Sequence, residues 1–338
     1  MISPGATIRA YQLQKLGSLD GLVLSERDLP SPGDSEVLVR VRASSLNFRD
    51  LMILDGTYPA PVPLGRVPLS DGAGEVVEIG ASVKRFKVGD RVINAFFPDF
   101  FGGSLNEMHS QWVVDHDGWL TEYKAVSAES LVAKPEHLSF EEAATLPCVA
   151  VTAWSALSGV RAGDAVLTQG TGGVSLFAVQ LAKALGARVI ATTTHPQSAA
   201  RLLELGADEV IDARNSSAWG DQVRLLTGGR GVDRVVEVGG PGTLAQSTKA
   251  VAYGGQVSLV GALAADDVGL DFMSMFLSQA RFQPIAVGSR RDLEDLCRVV
   301  EQHRIRPVID SVFAFADAKA AWRHYAGRKV TGKVVIRH

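Results

Sequence analysis

The stretch Ala165-Val166-Leu167-Thr168-Gln169-Gly170-Thr171-Gly172-Gly173-Val174-Ser175 decides the fold. Its first residues make a short apolar run suited to a buried strand, and the glycines that follow permit a tight turn. Val174, Phe177, Leu181 and Leu185 then recur on one helical face until Gly186 stops the helix. Outward from this unit the alternation continues. Arg188 to Thr192 predicts a strand, Pro196 to Leu205 a helix closed by Gly206, and Glu209–Asp212, Asp233–Val238, Gln256–Val260 and Pro284–Val287 further strands. Six strands alternating with helices predict an α/β fold built on a doubly wound parallel sheet.

Ahead of residue 133 the rhythm differs. Glu36 to Val41, Gly74 to Ile79 and Asp90 to Phe96 read as short strands punctuated by glycine and proline, as in a small barrel or sandwich. After Ser289 a helix runs through His303, and Lys333 to Arg337 forms a last strand outside the parallel sheet. The expected layout is a β-rich domain of residues 1–132 and 289–338, interrupted by a nucleotide-binding domain of residues 133–288.

Composition narrows the function. In 338 residues, 34 Lys and Arg oppose 37 Asp and Glu, so no basic excess favours nucleic acid as a partner. Cys148 and Cys297 are the only cysteines, too few for a disulfide framework or a four-cysteine zinc lobe. No apolar window is long enough for a membrane span and no secretory signal opens the chain, which makes the cytoplasm the default expectation.

The glycine loop implies chemistry. Gly170, Thr171, Gly172, Gly173 and Val174 would bring a pyrophosphate onto backbone N–H groups at a helix N-terminus, where the macrodipole favours anions. Such a trio also occurs in purely structural turns, but here the strand before and the helix after agree with dinucleotide binding. Ser175, a small residue, takes the place of the motif's third glycine. An acid about twenty residues on would select NAD. This chain instead has Thr192-Thr193-Thr194-His195, and Arg201 on the following helix, which favours NADPH with Thr193, Thr194 and Arg201 near the 2′-phosphate.

The segments Leu46-Asn47-Phe48-Arg49-Asp50, Asp71-Gly72-Ala73-Gly74-Glu75-Val76-Val77-Glu78-Ile79-Gly80, Val88-Gly89-Asp90-Arg91-Val92, the glycine loop and Gly332-Lys333-Val334-Val335-Ile336 together resemble the medium-chain dehydrogenase/reductase superfamily. The chain looks most similar to its zinc-independent quinone-oxidoreductase branch. The resemblance implies a GroES-like substrate domain joined to a Rossmann domain, a homodimer, and NADPH-dependent hydride transfer to a quinone or α,β-unsaturated carbonyl substrate. It places Asn47 and Tyr58 at the reacting carbonyl. Thr152, Gly288, Ser289 and Arg290 fall along the nicotinamide half of the cofactor, and Lys333 near its phosphates.

The zinc-dependent alcohol dehydrogenases of this superfamily ligate their metal through a Cys, a His-Glu pair and a second Cys. The matching residues here are Asn47, Ser70-Asp71 and Cys148, so no zinc is expected. Asp50 is expected to accept from nearby backbone, Cys297 to pack in a core, and His109 and His116 to sit in loops without metal. Two alternatives stay open: an NADP-dependent alcohol or aldehyde dehydrogenase of the zinc type, and a non-catalytic NADPH-binding protein with a structural or RNA-associated role.

Overall fold

The computed structural model describes residues 6–261 and 271–338. In chain order it contains β1 (Thr7–Leu13), β2 (Leu22–Asp28), β3 (Glu36–Ser45), α1 (Phe48–Asp55), β4 (Asp71–Ile79), β5 (Arg91–Asn94), β6 (Tyr123–Ser127), β7 (Leu131–Ala133), α2 (Phe140–Ala143) and α3 (Val151–Ala156). There follow β8 (Ala165–Gln169), α4 (Gly173–Ala184), β9 (Arg188–Thr193), α5 (Ala199–Glu204), β10 (Glu209–Asp212), α6 (Trp219–Leu226), β11 (Val232–Glu237), α7 (Pro241–Ala250) and β12 (Val251–Leu259). The last elements are α8 (Phe272–Ser278), β13 (Arg281–Pro284), α9 (Arg290–Gln302), β14 (Ile309–Ala314), α10 (Ala318–Ala326) and β15 (Lys333–Arg337).

Two compact units emerge, Met1–Val151 with Gly288–His338, and Thr152–Val287. Residues 133–151 therefore stand with the first unit. There Ser45 Oγ donates to the carbonyl of Ala144 at 2.9 Å and the Arg42 guanidinium lies over the Phe140 ring. In this unit a mainly antiparallel sheet runs β14-β15-β3-β4-β5-β7, with β6 also paired to β3. Val37, Val39 and Val41 of β3 pack with Leu46, Ile53, Trp119 and Trp322 in its core. Gly72 is required by close approach, since a Cβ there would meet Trp119 Cε3 at 2.4 Å. That contact sets where its neighbour Asp71 lies.

The second unit carries a parallel sheet in the order β10-β9-β8-β11-β12-β13. The chain winds outward from β8 to β10 and returns at β11, which puts the topological switch point between β8 and β11, where such sheets take their ligands. Strands β8, β10 and β15 span the residues that the sequence pattern predicts. Strand β13 lies three residues before its predicted start, because Arg281–Pro284 align with Gln256–Leu259 of β12. Pro284 lacks an N–H and suits the end of an edge strand, and Val287, at φ 55°, cannot extend the ladder.

The first unit also holds a half-buried histidine with both ring nitrogens engaged. His338 presents Nδ1 to the carbonyl of Thr121 at 3.1 Å and Nε2 to Ser44 Oγ at 2.9 Å. A carbonyl only accepts, so Nδ1 carries the proton and Ser44 donates to Nε2. Burial lowers the imidazole pKa from 6.5 to about 3. Between those values the unfolded chain binds a proton that the fold refuses, so this group's contribution to stability is lost as pH falls below 6.5. The urea midpoint of the native chain should therefore drop more between pH 7 and pH 5 than that of His338→Gln; equal drops would contradict this account.

Candidate active site

Residues Asn47, Asp71 and Lys333 converge in the first unit. Asn47 is the N-cap of α1, and Asp50 Oδ2 accepts from its backbone N–H at 2.7 Å, half of a capping box. The Asn47 amide donates to Asp71 Oδ2 at 2.9 Å and to Ser70 Oγ at 3.3 Å. Its carbonyl oxygen accepts from the Lys333 ammonium at 2.6 Å, which also donates to the carbonyl of Leu46 at 2.6 Å and lies 3.7 Å from Asp71 Oδ2. Lys333 is only 2% exposed. A strand lysine would ordinarily be solvated; this one is an internal counter-ion. Asn47 thus spends both amide protons and its carbonyl oxygen inside the cluster, and in this arrangement none is turned to a substrate.

Burial pushes Asp50 up to about 7, against the pull of Arg49 and of the Asn47 N–H, and pushes the Cys148 thiol far up, with Asp71 adding to the effect. These shifts bear on zinc. A zinc site here would need donors from Asn47, Ser70, Asp71 and Cys148. The amide already faces Asp71 and Ser70, the thiol is held protonated, and an ammonium lies beside the carboxylate. The residues do not fit zinc. Among the described residues no group of three or more His, Cys, Asp or Glu is arranged to hold a metal. His109 lies 3.4 Å from Asp99 and stacks on Phe100. Cys297 is buried on α9 as expected.

Tyr58 occupies a neighbouring cluster that the sequence did not reveal. Its hydroxyl donates to Gln111 Oε1 at 2.8 Å, and the guanidinium of Arg49 lies 4.9 Å from its ring centroid. The one signal for Arg49 in the sequence is a charge set among the apolar residues of Phe48–Asp55.

In the second unit the glycine loop is shaped for an anion. Gly170 has φ 72°, which favours glycine, and its N–H donates to the carbonyl of Thr192 at 2.7 Å. Gly172 is the N-cap of α4 and has no side chain to cap the N–H groups of Gly173, Val174 and Ser175. Thr171 is half-buried, and Ser175 donates to the carbonyl of Gln169 at 2.5 Å. This cradle fits a pyrophosphate. Thr193 is buried and accepts from the N–H of His195 at 3.0 Å, while Thr194 is exposed. Arg201 pairs with Glu204 at 2.6 Å, both exposed, a contact of about 0–1 kcal/mol that an arriving phosphate could displace. Thr152 is buried on α3.

Gly288, Ser289 and Arg290 belong to the first unit. Ser289 and Asp292 form a capping box at α9, and Arg290 pairs with Glu129 and lies over the Phe101 ring. Motif reading also missed a buried network at the switch point. Gln169, the last residue of β8, donates to Glu237 Oε2 at 2.8 Å; Glu237 ends β11 and accepts from the N–H groups of Gly239 and Gly240 and from Thr243 and Ser247.

Removing one partner of a buried pair leaves the other uncompensated, at about 3–5 kcal/mol. Lys333→Met should lower the unfolding free energy by roughly that amount. Lys333→Met combined with Asp71→Asn should recover part of the loss in a urea-unfolding double-mutant cycle. Additive losses would mean that ammonium and carboxylate act independently.

Comparison with known proteins finds two family matches along the chain. The alcohol dehydrogenase GroES-like domain family matches residues 33–136, and the zinc-binding dehydrogenase family matches residues 173–302. The chain is 38% identical over 337 residues to the zinc-type alcohol dehydrogenase-like protein of Schizosaccharomyces pombe, covering 96% of this chain and 97% of that protein. It is 34% identical over 331 residues to a quinone oxidoreductase of Pseudomonas aeruginosa, covering 93% and 95%. The crystal structure of an NAD-dependent alcohol dehydrogenase superposes with a TM-score of 0.90 at 33% identity, covering 98% and 99%. With the parallel sheet, the glycine loop and the β-rich unit in place, these matches show that the chain is an oxidoreductase of the medium-chain dehydrogenase/reductase superfamily, whose members bind NAD(P).

Proposed function

We propose that this oxidoreductase reduces a quinone or an α,β-unsaturated carbonyl compound with NADPH and without a metal. The observation that carries the reading is the Lys333–Asn47–Asp71 cluster, which has an amide at one position where a zinc dehydrogenase keeps a ligand and sets an ammonium beside the carboxylate at another. A bound metal can act as the Lewis acid that holds the alkoxide of a simple alcohol. A quinone or enone delocalises the incoming charge onto its own carbonyl oxygen and asks the protein for hydrogen-bond donors instead. Bound at the glycine loop, the dihydronicotinamide of NADPH supplies the hydride. Gly170, Thr171, Gly172, Gly173 and Val174 hold the pyrophosphate, with Thr193, Thr194 and Arg201 at the 2′-phosphate. Thr152, Gly288, Ser289, Arg290 and Lys333 remain candidates for the rest of the cofactor, Ser289 and Arg290 through the α9 cap.

Tyr58 is the better candidate for the reacting oxygen, since it is half-buried and its hydroxyl, which donates to Gln111, stands outside the Lys333–Asn47–Asp71 cluster. Asn47 acts through the placement of Lys333 and Asp71. The edge of β13, unpaired among the described residues, and the exposed Phe272, Met273, Phe276 and Leu277 of α8 support a homodimer. Among the described residues no helix is long and apolar enough to cross a membrane, and a cytoplasmic setting is part of the same proposal.

Two experiments test the reading. NADPH should bind at least about tenfold tighter than NADH, or about 1.4 kcal/mol, and Arg201→Ala should erode that preference with NADH binding unchanged. Equal affinities in the native chain would overturn the cofactor assignment. Oxidation of NADPH by quinones and enones should survive exhaustive chelation, with elemental analysis finding no stoichiometric zinc. Activity that disappears on chelation and returns with zinc would overturn the metal-free mechanism.

A further inference from the structure

Arg49 lies in the first turn of α1, two residues from Asn47, and is only 8% exposed. A guanidinium taken that far from water calls for a counter-ion or a full set of hydrogen bonds. Arg49 has neither. Among the described residues no carboxylate oxygen lies within 4.0 Å of it. Its Nη1 donates to the carbonyl of Trp112 at 3.2 Å, and Nη2 donates to Gln111 Oε1 at 3.2 Å and to Tyr58 Oη at 3.4 Å, all long, while Nε has no partner. Arg234 of the second unit, equally buried, also leaves its Nε without a partner, but its two Nη atoms close onto the carbonyls of Ala156 and Ser158 at 2.5 and 2.8 Å, shorter than any contact of Arg49. Arg234 is a strut; Arg49 is a charge held in reserve.

What holds it is aromatic. The guanidinium lies 4.9 Å from the centroid of Tyr58 and 5.0 Å from that of Phe96. Two ring faces stabilise a cation without neutralising it. The other buried charges do not cancel it either. Lys333 sets its own charge against Asp71, and Asp50 Oδ2 is taken up by the backbone N–H of Asn47 at 2.7 Å.

We propose that Arg49 is an oxyanion-recognition residue: its guanidinium, with the Tyr58 hydroxyl, binds a substrate oxygen that becomes negative during reduction, which selects acceptors that pass through an enolate or a hydroquinone anion. The inference rests on the reductase reading and deepens it by naming the residue that receives the charge on oxygen. When hydride reaches the β-carbon of an enone, the alkene pair moves toward the carbonyl carbon and the carbonyl π pair ends on oxygen. Arg49 and Tyr58 meet that enolate oxygen, and water returns a proton to the α-carbon to give the saturated ketone. Preorganised donors of this kind act where charge develops.

The test uses 4-nitrophenolate, an aromatic oxyanion whose colour reports its ionisation, against its neutral analogue nitrobenzene. The purified full chain should bind the phenolate at least about tenfold tighter than nitrobenzene, or 1.4 kcal/mol, and the bound probe should ionise at lower pH than the free one. Arg49→Met should abolish that preference while nitrobenzene binding stays, and Arg49→Lys should restore part of it, because an ammonium replaces the charge but not the planar fork. No phenolate preference in the native chain overturns the proposal, whatever the variants do. Equal loss of both probes in Arg49→Met, without rescue by lysine, also overturns it and leaves Arg49 a packing residue. Phenolate preference in a chain that reduces neither enones nor quinones would sink the reductase reading and leave the anion site standing.

Discussion

One buried cation organises the first unit. The ammonium of Lys333 must be neutralised where water does not reach, and its partners come from separate parts of the chain: Leu46 and Asn47 at the β3–α1 junction and Asp71 at the start of β4. Tying β15 to those points fixes the first residue of α1. That in turn sets Arg49 and Asp50 at their depth. Gly72, pressed against Trp119, holds Asp71 from the other side. The polar groups at the positions that match the ligands of the zinc dehydrogenases are thus bonded to one another.

The second unit follows a different logic. Its strands pair in a parallel ladder, and the winding reverses between the ends of β8 and β11, where sheets of this kind take their ligands. The glycine loop opens there. Glu237, buried with hydrogen bonds from Gln169 and from the glycines after β11, braces the same place with a charge that has backbone and hydroxyl donors rather than a cation as partners.

What was legible in the sequence was local. The glycine loop, β8, β10 and β15 could be read because period and turn chemistry lie within a few residues of each other. The edge strand β13 was misread by three residues because its register is set by β12, not by its own apolar run. Residues 133–151 stand with the first unit through Ser45 and Ala144, a contact between distant positions. The site suffered most from this. Nothing in Gly332-Lys333-Val334 distinguishes a solvated lysine from one that is 2% exposed. Asn47 reads as a donor until Asp71 and Ser70 are seen to take both its protons. Arg49 carries no role in the sequence pattern, because Phe96 and Tyr58, which lie against it, are set by the fold.

The central claim is that hydride is delivered to the conjugated carbon of an activated carbonyl compound, with donors of the protein rather than a metal receiving the charge on oxygen. NADPH carrying deuterium at the transferred position, an acyclic enone and the purified chain, followed by NMR of the product, test it most directly. The account predicts a saturated ketone with deuterium on its β-carbon. Deuterium on the former carbonyl carbon, in an allylic alcohol, would contradict it.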